Sequence, residues 1–223
     1  MPTKPPLSFT NGDSIFGTGD VKVLNYALAL EVTEADLYRQ CLLRLTTGGR
    51  ITVNSVQTPN SPGLGLPSTD LAVQYVSKFG AVEAQHRDFL ANALKTMAIT
   101  APGNPLATAF FDFGIANLDR TGIVKLLMGV EQTGVQAYLG AIPFFATNTY
   151  IPVAASIQAT EARHTTAITI LFNQIPGNTP METAPLSFES PGPGIVGPGI
   201  DGYLTPDQVL AAVSGPNGYI VLP

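Results

Sequence analysis

The chain contains two histidines, and each follows a glutamate by three residues: Glu83-Ala84-Gln85-His86 and Glu161-Ala162-Arg163-His164. Positions i and i+3 of an α-helix share one face, so the carboxylate and the imidazole can grip the same metal ion. With seven glutamates among 223 residues, chance seldom places one there before both histidines. Two such helices, joined by two more that each turn one glutamate inward, are what a dinuclear carboxylate bundle requires. Glu31 and Glu131 supply the remaining pair. That demand constrains the chain to an all-α, antiparallel four-helix bundle.

The apolar periodicity supports four helices. Leu24, Leu28, Glu31, Ala35, Tyr38, Leu42 and Leu45 recur in steps of four and three, and Asp20 is the expected N-cap before them. Ala72, Val76, Phe79, Glu83, His86, Leu90, Ala93 and Met97 form the second seam, with Ser68 or Thr69 as its cap. Val124, Leu127, Glu131, Gly134, Tyr138 and Ala141 form the third, opening near Asp119. Tyr150, Ala154, Ile157, Glu161, His164, Ile168 and Leu171 form the fourth, opening at Asn148 or Thr149 and ending at Pro176-Gly177. Every candidate ligand falls on an apolar stripe. A carboxylate placed there needs a metal or a charged partner, because burying it alone is costly.

Between the helices, residues 50 to 68 read as a long Pro/Gly/Asn/Ser connection with a β-prone piece from Ile51 to Val56. A connection of that length usually crosses the bundle or serves a partner. Residues 98 to 118 read as a short helix or lid over one bundle end, and their phenylalanines 110, 111 and 113 as core plugs. The expected division is an arm over 1–19, the bundle over 20–175, and a Pro/Gly-rich extension over 176–223 packed on the bundle or on a neighbouring subunit. Within the extension, Thr205-Pro206-Asp207-Gln208 predicts a capped short helix, and residues 219–222 a strand or docked strip.

The two halves echo one another. Tyr38 lies seven residues after Glu31, and Tyr138 seven after Glu131, so each phenol stacks about 10 Å along the same face from its glutamate. Such a tyrosine either donates to a ligand across the bundle or fills the core. Glu34 breaks the echo, because the matching place after Glu131 is Gly134. It is placed among the groups around the site, as a bridging ligand or proton relay, although a solvent-exposed helix residue is the plainer reading. Arg163, and with it Arg87, either pairs with carboxylates around the site or lies on the surface.

Charged residues make up 12% of the chain and its net charge is −5, with no basic run, so a nucleic-acid partner is not expected. The single Cys41 cannot form an internal disulfide. No apolar run is long enough for a membrane span or a signal peptide, so the chain reads as soluble; an export signal trimmed from it would not show.

The segments from Leu24 to Glu31, Glu83 to His86, Gly129 to Ala141 and Glu161 to His164 resemble the ferritin-like proteins known as desiccation-related proteins, over roughly residues 20 to 175. The resemblance implies a ferritin-like bundle with a left-handed crossover and two manganese or iron ions. It implies ligands at Glu31, Glu83, His86, Glu131, Glu161 and His164, with Glu161 the least secure of them. It also implies a link to desiccation and oxidative stress, with manganese-catalase-like chemistry on hydrogen peroxide. Ferroxidase-like oxidation of ferrous iron by dioxygen would use the same ligands, and the expected assembly is a homo-oligomer, with a dimer favoured. Four carboxylates balance two divalent cations, and two neutral imidazoles leave open positions for a small oxidant. The rival expectation is a stress-protectant whose metal only pins the bundle.

Overall fold

The computed structural model describes residues 8–53, 56–57, 60–107, 110–181, 201–214 and 220–221. A single turn, α1 (Asp13–Phe16), leads into α2 (Gly19–Leu45), whose 27 residues span about 40 Å. It is followed by α3 (Leu71–Leu94), α4 (Arg120–Ala141) and α5 (Ile151–Gln174), and later by α6 (Pro206–Ser214). Among the described residues no helix is long and apolar enough to cross a membrane.

The apolar stripes account for the packing. Leu28, Tyr38 and Leu45 of α2, Val76 and Leu90 of α3, Val124 and Leu127 of α4, and Ile157 and Ile168 of α5 are all buried in one core. The second seam is shorter than its spacing predicts: α3 stops at Leu94, Lys95 turns to φ 55°, and Met97 is exposed in a 3-10 turn. The caps also move by a residue or two. Asp70, not Ser68 or Thr69, caps α3 by accepting from the Ala72 amide at 2.8 Å. Asp119 caps α4 through the Gly122 amide at 2.7 Å. Asp20 lies inside α2, preceded by Thr18 as N-cap, and accepts instead from the Ala146 amide and the Thr147 hydroxyl at 2.6 Å each. It ties the start of α2 to the α4–α5 link.

Helices α2 and α3 pack as one close pair and α4 and α5 as another. Across the pairs, Glu31 meets Tyr138 and Tyr38 meets Glu131, so α2 and α4 are antiparallel. Likewise Glu83 lies against His164 and His86 against Glu161, so α3 and α5 are antiparallel. Helices α2 and α3 are antiparallel too, since Asn25 near the start of α2 donates to the Met97 carbonyl just past α3, while Leu66, just before α3, donates to the Leu45 carbonyl. Helices α3 and α4 therefore run the same way, and the chain between them must travel the length of the bundle. Its contacts trace that path along α2. Asn25 receives the Ile99 amide at 2.9 Å, Gln40 donates to the Phe111 carbonyl at 3.0 Å, and Arg44 donates to the Leu118 carbonyl at 2.9 Å. This segment is therefore a strap along a helix and not a lid over one end, with Phe111 and Phe113 buried beneath it. The 46–70 connection, by contrast, returns directly to α2: the Leu66 amide donates to the Leu45 carbonyl at 2.9 Å, and within the connection Thr52–Val53 pairs antiparallel with Val56–Gln57.

Helix α2 is buried on a second face as well. Val23, Tyr26 and Leu30 pack with Phe9, Ala137, Ala141 and Val209 in a smaller core between α2, α4, the arm and α6. The capping box on α6 forms in both directions, the Gln208 side chain accepting from the Thr205 amide at 2.8 Å and the Thr205 hydroxyl from the Gln208 amide at 3.3 Å. The strip before α6 crosses α4 so closely that a Cβ on Gly140 would collide with the Leu204 carbonyl oxygen. Asp207 then accepts from the Thr10 and Asn11 amides, each at 2.9 Å, and from the Ser8 hydroxyl. Further on, Ile220–Val221 pairs antiparallel with Phe110–Phe111 of the strap.

Candidate metal centre

The four glutamates predicted from the stripes converge at mid-bundle, and the side chains of Glu31, Glu83, Glu131 and Glu161 are fully buried. With the two histidines they form two quartets. Glu31, Glu83, His86 and Glu161 offer donor atoms within 4.8 Å of one another, and so do Glu83, Glu131, Glu161 and His164. Glu83 and Glu161 belong to both sets, so the i, i+3 pairs on α3 and α5 stand between two positions that α2 and α4 each complete. Nδ1 of His86 lies 3.0 Å from Glu83 and 3.3 Å from both Glu31 and Glu161. Nδ1 of His164 lies 2.7 Å from Glu83 Oε1 and 3.5 Å from Glu131 Oε2.

These contacts are short, yet many of the atoms are not in hydrogen-bond alignment. Glu31 Oε2, Glu83 Oε1, Glu131 Oε2, both oxygens of Glu161 and His164 Nδ1 are buried with no hydrogen-bond partner among the described residues. Native interiors seldom leave so many acceptors together unsatisfied. Buried carboxylates at this separation also repel one another strongly. Burial first, and then the neighbouring carboxylates, push Glu31 up to about 8. Glu131 is likewise pushed up to about 8 by burial and the charge of Glu83. Glu161 rises well above the carboxylate range for the same reasons. Glu83 is the exception: burial would raise it, but the His164 and His86 imidazoles, 2.7 and 3.0 Å away, hold it low. His86 is raised to about 12, since the nearby Glu161, Glu31 and Glu83 carboxylates outweigh the burial that would lower it.

Two phenols complete the centre in mirror fashion. Tyr138 donates to Glu31 Oε1 at 2.5 Å, and Tyr38 donates to Glu131 Oε1. Of the two roles that sequence allows these tyrosines, the structure shows the hydrogen bond across the bundle. Burial and the adjacent glutamate raise both phenols, so each keeps its proton and remains a donor.

Glu34 and Arg163 depart from expectation in opposite directions. Glu34 is 3% exposed and lies on the inner side of α2, because Gly134 opposite leaves the space it enters. A Cβ on Gly134 would sit 3.1 Å from Glu34 Oε1 and 3.4 Å from Glu161 Oε2. Burial and the nearby glutamates raise Glu34 well above its ordinary value. Arg163 does not join the groups around the centre: it is exposed and donates to the Thr160 hydroxyl at 2.8 Å, its own helix surface. Position 163 follows Ala162 and so points off the stripe that carries Glu161 and His164. Arg87 is half-buried and pairs with Asp88.

Sequence periodicity missed Phe79 as part of the site. Its ring stacks on His164 with centroids 4.0 Å apart and planes 17° from parallel. Its place one turn before Glu83 on the same stripe was the available signal.

The arrangement is a charge-dense, buried cluster of oxygen and nitrogen donors that could hold metal ions. No curated protein and no solved structure matches the chain. The profile of the ferritin-like domain matches residues 19–174, from the first residue of α2 to the last of α5. A bundle of these four helices, with its carboxylates and imidazoles gathered in the interior, thus belongs to the ferritin-like domain family.

Proposed function

We propose that this chain is a dinuclear metal carboxylate protein, with manganese or iron as its ions, that handles hydrogen peroxide or dioxygen in desiccation and oxidative stress. The observation that carries this reading is the sharing of Glu83 and Glu161 between two quartets that are otherwise separate. Glu31 and His86 would hold one ion and Glu131 and His164 the other, with the shared glutamates between them. The buried unsatisfied oxygens fit that occupancy, since a cation would satisfy them and quench their repulsion.

Bound there, a redox-active pair would supply two-electron chemistry toward a small oxidant. The chain supplies the rest. Tyr138 and Tyr38, each holding its hydroxyl proton, orient Glu31 and Glu131 so that the opposite carboxylate oxygen faces the centre. Phe79 fixes the plane of His164. Leu28, Leu127, Ile157 and Ile168 exclude bulk water.

The test is the purified protein metallated with each ion in turn. Oxygen release from peroxide with manganese supports catalase-like activity, and oxygen consumption with ferrous iron supports ferroxidase-like activity. Binding without turnover with either ion would sink the enzymatic reading.

One observation favours a second reading, in which metal only stabilises a protectant protein. The quartets draw on all four long helices, so the ions would cross-link the whole bundle. A large loss of melting temperature on chelation, in a protein without redox turnover, is the result that reading expects.

A further inference from the structure

The four shared and terminal glutamates are 0% exposed, and of the two histidines His86 is the more open, its side chain 14% exposed, so an ion must pass the helix wall to reach the carboxylates. One groove of about 370 Å³ runs between α2 and α4 and is lined by Leu30, Thr33, Glu34, Gly129, Gly134 and Val213 of α6. Glu34 stands in this lining with Oε2 buried and without a hydrogen-bond partner among the described residues. Behind it lies the space of the missing Gly134 side chain, flanked by Glu34 Oε1 on one side and Glu161 Oε2 on the other. Glu34 is in neither quartet, yet it borders one of the two carboxylates that both quartets share.

We infer that divalent cations reach the centre through the α2–α4 groove, with Glu34 as a transit ligand that takes each cation from the groove and yields it to Glu161. The inference rests on the metal-binding reading above. A cation leaving water for an apolar wall needs an anionic oxygen at each step. Glu34 offers that oxygen between solvent and Glu161. The exchange is one carboxylate for another around the same ion, so no electron moves.

A second groove of about 630 Å³ lies between α2 and α3 and reaches Tyr38. Its two carboxylates are ion-paired, Asp36 with Arg39 and Asp88 with Arg87, and the Tyr38 hydroxyl is given to Glu131. Neither carboxylate has a buried oxygen without a hydrogen-bond partner, as Glu34 has in Oε2.

Uptake of cobalt(II) by the metal-free, full-length protein, followed by the absorbance of the bound ion, tests the route. Glu34→Gln removes the transit charge while keeping the side-chain shape. Gly129→Leu fills the outer groove, where a Cβ meets nothing within 4 Å. Each variant is expected to fill about tenfold more slowly, because a carboxylate-lined path raises the local cation concentration and a blocked one does not. Lys125→Glu, at an exposed position of the same groove, is expected to fill faster, an outcome that a folding defect would not produce. Ala81→Leu, in the α2–α3 groove, is expected to fill at the wild-type rate. All are expected to end with the wild-type amount of cobalt per chain.

Wild-type filling rates in both Glu34→Gln and Gly129→Leu overturn the route. So does slowing by Ala81→Leu without slowing by Gly129→Leu. A lower final cobalt content in Glu34→Gln would make Glu34 a resident ligand and overturn its transit role. A wild-type chain that takes up no cobalt overturns the metal reading itself, and the route falls with it.

Discussion

The two quartets are alike in chemistry and unlike in surroundings. Each has three glutamates and one histidine, two of the glutamates common to both. His164 is 6% exposed at its side chain and is stacked on Phe79, whereas His86 is 14% exposed and no aromatic ring stacks on it among the described residues. On the α2 side stands an additional buried carboxylate, Glu34; at the matching place on α4 stands Gly134. An approximate twofold arrangement of donors therefore sits in an asymmetric shell. The donors decide what can be bound, and the shell decides which position meets solvent first.

The largest way to break the comparison is to remove what the quartets share. Glu161→Gln is expected to abolish retention of both ions, whereas Glu31→Gln is expected to spare the ion held by Glu131 and His164; metal analysis after desalting reads the difference. Equal losses in the two variants would mean that the quartets do not act as distinct positions. The metal-free Glu161→Gln protein should at the same time melt higher than the metal-free parent, since one member of a mutually repelling buried set is gone.

Metal removal comes next. If the ions bind only the folded chain, a thousandfold excess over the dissociation constant stabilises it by about 4 kcal/mol, or roughly 10 °C for a chain of this size. The loss on chelation should grow with pH. Glu31 and Glu131, raised to about 8 in the folded state, bind protons more tightly there than when unfolded. Their contribution is complete below the unfolded value near 4.5 and disappears as pH climbs through about 8. Melting of the metal-free protein should therefore fall across that window, while the metal-loaded protein, whose cations replace those protons, should hold level. A metal-free melting temperature that rises from pH 5 to 8 would contradict this origin.

Smaller effects sharpen the symmetry. Tyr138→Phe and Tyr38→Phe each remove a donor to a buried glutamate, costing the metal-loaded protein about 2 kcal/mol by the usual worth of a bond to a charged group. Similar losses in thermal unfolding are expected for the two, and a much larger one for either would show that the halves are energetically unequal. Phe79→Ala should weaken the His164 position and leave the His86 position near the parent's affinity, read as biphasic cobalt titration. The smallest effect is expected outside the centre. Asp207→Asn loosens the contact of the extension with the arm, costing about 1 kcal/mol, with metal content unchanged.

Much of the centre was legible because its residues obey helical spacing. Glutamates 31 and 83 and their counterparts 131 and 161 interrupt apolar stripes, and an interrupted stripe already says that a charge is buried. What stayed hidden depends on partners distant in sequence. Glu34 looks like a surface residue until Gly134, a hundred positions later, makes room for it. Asp20 looks like a helix cap, but the α4–α5 link offers it better-placed donors. Arg163 beside His164 in sequence points away from it in space. The second buried face of α2 was present as extra apolar residues, Val23, Tyr26 and Leu30, whose cover comes from the arm and α6. The strap along α2 was not readable at all, because irregular chain carries no period from which to infer its course.

The crossed phenol–glutamate pairs have one more consequence. Because each tyrosine follows its glutamate by the same seven residues on helices that run in opposite directions, the two pairs can close only at a single alignment of α2 against α4. Sliding one helix by a turn would carry both hydroxyls about 5.4 Å from their acceptors together. The tyrosines thus serve as a built-in gauge of register, rejecting near-miss assemblies in which the halves have docked but the donor atoms are out of step.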